Sequence, residues 1–375
     1  MVDFSAPLNA LGPPTGAVAA VREATETIDR YPEPGAPRLV ARLAEYHGVE
    51  PDRIIVGAGT TELISLIGQV YREGLAQDPR LDASDPDLPL AHLVEPSYGE
   101  YRRTSAQNGL NTRIWPEHIL GWGQDTEPDG AAGIFWTGHP NNPTGRAWER
   151  DQLLALVDRN PDLLTVVDEA YLPFLPDEAD RTVIQAAASS ENLLVLRSMT
   201  KIFAFPGLRV GYAVASTEMI NRLRRGQQPW SVTTAAEVAA IAALEDDEYL
   251  ARTIELIETE SARFTDRLWD VPGLRPAWPG RERPKSAASM PNFILVSLVN
   301  TPWTSPQVQD TLARRGFFVR ECSNYRGLEI GSRITGPGIE FVTNGHLRFC
   351  VRTPSENDAL VDCLAEILAS RPPHA

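Results

Sequence analysis

The feature that most constrains the fold is a series of short, unbroken apolar runs, each followed by polar residues: 53–56, 91–94, 132–137, 163–167 and 193–196. They are too short for buried helices and lack the alternation of a sheet with one wet face. They therefore read as strands covered on both faces. Helical stretches separate several of them, which predicts an α/β fold: a mostly parallel sheet flanked by helices. Thr60 and Thr61, Tyr98, Asn142, Asp168, Tyr171, Ser198 and Lys201 all follow the carboxyl ends of these runs. In an open α/β sheet those ends share one crevice, so residues spread from 60 to 201 are expected to meet there.

The remaining chain is read around that sheet. The first dozen residues, ending at Asn9 to Pro14, form an arm, and helices are expected over 16–30 and 37–48. The turn Gly57-Ala58-Gly59-Thr60-Thr61-Glu62 enters a helix at 63–71. It is either a phosphate cup built from free N–H groups or a plain turn with Thr60 as N-cap. Residues 76–90 read as an exposed loop. Helices follow at 217–226 and 234–271, the second broken near Asp246, and then a loop at 279–289. A smaller α+β unit completes the chain: strand 293–298, helix 305–315, strand 317–320, a long loop 323–345, strand 346–351 and helix 356–370. The expected division is 1–30 as an arm and helix joining the small domain, 31–255 as the large domain and 256–375 as the small one.

A net charge of −15 opposes nucleic acid and anionic membranes as partners. No run of 18 apolar residues and no leader pattern are present, so a cytoplasmic enzyme is expected. Cys322, Cys350 and Cys363 are widely spaced, and the six histidines show no ligand spacing, so no metal is expected.

Only two lysines occur among 35 cationic residues, Lys201 and Lys285. Genome composition could account for the rarity, but Lys201 follows a buried strand and a hydroxyl pair, and an ammonium can form an imine where a guanidinium cannot. An imine to pyridoxal phosphate would need an anion at the ring nitrogen, which Asp168 supplies, and a donor to the phenolic oxygen, available from Tyr171 and Asn142. Thr60, Thr61, Ser198, Thr200 and Arg209 could hold the phosphate, Tyr98 could cover the ring, and Arg348 could grip a substrate carboxylate.

These residues carry a resemblance. HPNNPTG, VVDEAY, SMTK and GLRVGY are similar to the signature of fold-type I pyridoxal-phosphate enzymes, the class I/II aminotransferase superfamily. Within it the chain looks closest to threonine-phosphate decarboxylase and histidinol-phosphate aminotransferase. The resemblance implies a homodimer with shared active sites, Tyr31 reaching the neighbour's cofactor phosphate, and Arg320 and Arg348 facing anionic groups of an α-amino acid substrate, with Asn9 nearby. A His-Gly-Gly segment usual ahead of Asp3-Phe4-Ser5 is absent, Thr233 replaces an Asn, and 329–345 is an insertion, which together imply a substrate altered from threonine phosphate. Transamination or decarboxylation through a Lys201 imine and a carbanion is the expected chemistry. The alternatives are γ-elimination, for example from S-adenosylmethionine, with carbon–carbon bond formation, and, remotely, a non-catalytic cofactor-binding regulator.

Overall fold

The computed structural model describes residues 1–75, 91–117, 128, 130–276, 290–336 and 339–372. The expected loops 76–90 and 279–289, with Lys285, lie outside them.

A seven-stranded sheet forms the centre, with strands in the spatial order Ile54–Gly57, Gly211–Val214, Leu193–Ser198, Leu163–Asp168, Gly133–Gly138, Ala91–Glu95 and Thr112–Pro116. Six strands share one direction, and Gly211–Val214 alone opposes its neighbours. Alternate residues feed opposite cores: Ile134, Trp136, Val166, Leu194 and Leu196 pack on one face, and Phe135, Val167 and Val195 on the other. Burial on both faces explains why these strands show no polar alternation in sequence.

Two strands of this sheet escape the sequence reading. Thr112–Pro116 is an edge strand whose first two residues are exposed, so it has no apolar run. Gly211–Val214 is hidden within the Gly-rich segment after Lys201.

The second sheet is antiparallel, ordered Arg320–Glu321, His346–Cys350, Phe293–Leu298 and Leu274–Pro276. The N-terminal Val2–Asp3 pairs in parallel with Phe317–Phe318, joining the arm to this unit. The expected loop 323–345 contains a hairpin, Arg333–Gly336 against Ile339–Val342. The expected boundary at 255/256 falls inside one continuous helix, Asp247–Trp269. That helix is a strut between the units: Tyr249 and Thr253 bond to the lysine segment and the arm, while Arg263 and Arg267 pair with Asp358. Among the described residues no helix is long and apolar enough to cross a membrane.

Candidate active site

The carboxyl ends of the central strands open onto a cavity. Its walls include Thr60, Thr61, Tyr98, Asn142, Asp168, Tyr171, Ser198, Thr200, Lys201 and Arg209, so ten of the expected site residues converge there.

One end of the cavity is built for an anion. The strand Ile54–Gly57 turns through Gly59, at φ +81°, into the helix Thr60–Leu75, whose first N–H groups have no partner within the helix. A Cβ on Gly59 would stand 2.5 Å from the Arg209 guanidinium, so only glycine lets that cation close over the turn. Arg209 itself adopts φ +56° and donates from Nη1 to Pro206 O at 3.1 Å. Ser198 and Thr200 hydroxyls lie 2.9 Å apart beside it. A guanidinium, two hydroxyls and the open amides of the Gly–Thr turn thus face one volume.

At the cavity floor, Asp168 ends its strand with 7% exposure. Ala170 N donates to Oδ1 at 3.0 Å, and the Tyr101 hydroxyl donates to Oδ2 at 2.7 Å. Burial pushes the Asp168 carboxyl above its ordinary range, with the Tyr101 bond, the Ala170 amide and the Lys201 charge opposing it. A buried carboxylate with two donors and, among the described residues, no cation bonded to it suits a cationic ring nitrogen. Tyr101 is not among the residues the sequence singles out, although it lies only three positions beyond Tyr98. Tyr101 stacks on Trp136 with centroids 5.5 Å apart, and Tyr98 meets Tyr101 edge-on.

Lys201 lies in the short helix Met199–Ile202 that follows Ser198. Burial lowers its amine pKa, helped by the Arg348 and Arg209 charges and opposed by Asp168. Its amine makes no hydrogen bond or ion pair among the described residues. The same is true of the Tyr171 hydroxyl and the Asn142 NH₂ group, both on the cavity wall. Tyr171 is pushed far up by burial and so keeps its proton. Three donors without acceptors thus surround one volume above a buried carboxylate.

Arg348, buried on the inner strand His346–Cys350 of the second sheet, donates from Nη2 to Ser5 O at 2.6 Å and from Nη1 to Asn142 Oδ1. Its Nε has no acceptor. Arg320 lies directly opposite it across the strand pair, bonded to Asn324 Oδ1 and placed over the Tyr325 ring. Tyr31 is away from this cavity, 83% exposed and 5.0 Å from Trp230 between ring centroids.

Asn9 corrects the expectation of a substrate contact. Its Nδ2 donates to Ile202 O at 2.9 Å and Thr253 Oγ1 at 2.7 Å, and its Oδ1 accepts from Leu11 N. The whole amide is engaged in joining the arm to the lysine segment. His139 is likewise engaged, with Nδ1 accepting from Trp148 N and Nε2 facing Arg181 O. Among the described residues no His, Cys, Asp and Glu cluster suited to a metal is present.

The residues fit pyridoxal phosphate: an anion cradle that a Cβ at Gly59 would fill, a buried carboxylate for the ring nitrogen, unpaired donors between them and an amine of lowered pKa. The chain is 31% identical over 384 residues to threonine-phosphate decarboxylase of Salmonella typhimurium, covering 100% of this chain and 93% of the relative. It is 32% identical over 379 residues to histidinol-phosphate aminotransferase of Roseiflexus castenholzii, covering 98% and 90%. The fold is similar to L-threonine-O-3-phosphate decarboxylase of Porphyromonas gingivalis, with TM-score 0.80, 23% identity and coverage of 99% and 100%. It is also similar to histidinol-phosphate aminotransferase of Sinorhizobium meliloti, solved with pyridoxal-5'-phosphate, with TM-score 0.74, 21% identity and coverage of 98% and 90%. With the family model for aminotransferase class I and II matching residues 1–364, this chain belongs to that family and is a pyridoxal-phosphate-dependent enzyme with an aspartate aminotransferase-like fold.

Proposed function

We propose that the enzyme acts on an α-amino acid carrying a second anionic group, as an aminotransferase or decarboxylase, with a substrate altered from threonine phosphate. The observation that carries this reading is the pair of cross-strand arginines, Arg320 and Arg348, of which Arg348 donates to Asn142 on the wall of a cavity where Lys201, Tyr171 and Asn142 offer donors without acceptors among the described residues. Pyridoxal phosphate supplies a carbonyl that captures amines and a ring that accepts the electrons of a bond broken at the α-carbon.

This chain's residues do the rest. Arg209, Ser198, Thr200 and the Thr60–Thr61 amides would hold the phosphate; Asp168 would pair with the ring nitrogen; Asn142 and Tyr171 would donate toward the phenolic oxygen; and Tyr98 would cover the ring. Arg348 fixes the substrate carboxylate, and Arg320 takes the second charge. Lys201, lowered in pKa by burial, moves the proton at the α-carbon. The exposed Tyr31, tilted against Trp230, supports a homodimer in which Tyr31 reaches the partner's phosphate.

Purified protein should show a band near ~420 nm that is lost in Lys201→Ala. A screen of anionic amino acids should read carbon dioxide, keto acid and loss of a γ-substituent together. Release of a γ-substituent, with neither carbon dioxide nor keto acid, would replace this reading with elimination chemistry.

A further inference from the structure

The arm that runs from Ser5 to Asn9 touches both functional poles of the cavity. At one end, Ser5 O accepts from Arg348 Nη2 at 2.6 Å, and Phe4 is anchored in the core with its carbonyl accepting from Cys350 N at 3.0 Å. At the other end, Asn9 N donates to Lys201 O at 3.1 Å, and Asn9 Nδ2 donates to Ile202 O and Thr253 Oγ1. The Tyr249 hydroxyl lies 3.1 Å from Ile202 O and 2.8 Å from Gly12 O, and the Thr253 hydroxyl donates to Tyr249 O. Asn9, Tyr249 and Thr253 are all buried. A buried amide with both its oxygen and nitrogen satisfied resists displacement, since breaking one bond strands a polar group away from water. The backbone at Lys201 and Ile202 is therefore held from outside its own helical turn, a turn of only four residues.

We propose that Asn9 is a positioning residue for Lys201: it pins the Lys201 and Ile202 carbonyls and so sets where the amine stands, and the strap to Ser5 links that position to Arg348. This rests on Lys201 being the cofactor lysine. The groups facing its amine are Arg348, Arg209, Asp168 and Cys350. When Asn9 is truncated, the segment loosens and water reaches the Lys201 nitrogen, which favours the protonated form of the group that the holoenzyme's absorbance band reports.

The test is a pH titration of the ~420 nm band of the holoenzyme, with and without maleate as a carboxylate probe, alongside thermal unfolding. Asn9→Ala and the isosteric Thr253→Val should each raise the titration midpoint by about half a unit or more, whereas Thr253→Ser should match the parent. Maleate should shift the midpoint less in Asn9→Ala than in the parent at equal occupancy. Lower thermal stability in Asn9→Ala and Thr253→Val with unchanged midpoints would overturn the proposal and leave Asn9 a structural residue. A parent band that persists in Lys201→Ala would overturn both this inference and the assignment of Lys201 beneath it.

Discussion

Arg320 and Arg348 face each other in register on adjacent antiparallel strands, and neither has an acidic partner among the described residues. Like charges placed directly across a strand pair cost about 0.2–1 kcal/mol, so their juxtaposition is tolerated for a reason other than folding. A substrate with two anionic groups would relieve it.

Arg320→Gln should therefore leave thermal stability unchanged or slightly raised, while affinity for a dianionic amino acid falls about tenfold and affinity for a monoanionic one stays constant. Arg348→Lys should weaken both, by about 30-fold, because an ammonium cannot reproduce the planar fork that reaches Asn142 and Ser5. Steady-state KM values for paired substrates, together with melting curves, separate the two outcomes. Equal losses for both substrate types in Arg320→Gln would remove Arg320 from the second anionic subsite.

Tyr101→Phe should loosen the cofactor without unfolding the protein. The phenyl ring keeps its stack on Trp136, but Asp168 Oδ2 loses its 2.7 Å donor. Burial already pushes that carboxyl up and the Tyr101 bond holds it down, so the variant shifts Asp168 further toward its neutral form. A neutral acid pairs poorly with a cationic ring nitrogen. Cofactor affinity, measured by titration after dialysis, should fall about tenfold, in line with the loss of a hydrogen bond to a charged group.

Five strands of the central sheet were legible because they are buried on both faces and lead into residues that line the cavity. Asp168, Asn142, Tyr171, Ser198 and Lys201 could be placed by where their strands stop, which needs no knowledge of side-chain direction. Residues whose role depends on direction were not legible. Tyr101 sits three positions beyond Tyr98, on the first turn of the helix Glu100–Gln107, and nothing in the sequence says that its hydroxyl meets Asp168. The resemblance places Asn9 near the substrate, and an irregular arm gives no periodicity from which to infer its partners in the fold. The hairpin Arg333–Val342 was read as loop because its glycines masked two short strands.

Gly59→Ala should act on the phosphate end alone. The added Cβ would sit 2.5 Å from Arg209 Nη2 and would force a left-handed φ of +81° on a residue that prefers other conformations. The guanidinium can swing away, so the fold should lose only about 1 kcal/mol. The phosphate grip should suffer more, because Arg209 closes over the amides of the turn only when nothing intervenes. Cofactor dissociation measured by gel filtration and the remaining absorbance should quicken at least about tenfold. A variant that retains cofactor like the parent would show that Arg209 does not contact the phosphate.

His139 supplies a stability prediction with a defined pH window. It is buried between Trp148 N and Arg181 O, and burial lowers its pKa from 6.5 to about 4, with the Arg181 and Arg197 charges adding to the effect. The folded state therefore refuses a proton that the unfolded chain accepts. Stability from this residue is complete above pH 6.5 and is lost as pH falls toward 4, with an upper bound of about 3 kcal/mol. Asp168, Glu117 and Glu169 work in the opposite sense: burial raises each, so protonation at low pH favours their folded form. Comparison with a variant isolates the histidine. In His139→Asn, the amide oxygen can still accept from Trp148 N, while the group that titrates is gone. Urea unfolding at pH 7 should show a modest loss from the missing Arg181 contact. Between pH 6.5 and 4 the parent should lose more stability than the variant, and parallel curves across that interval would mean that His139 does not drive the acid sensitivity.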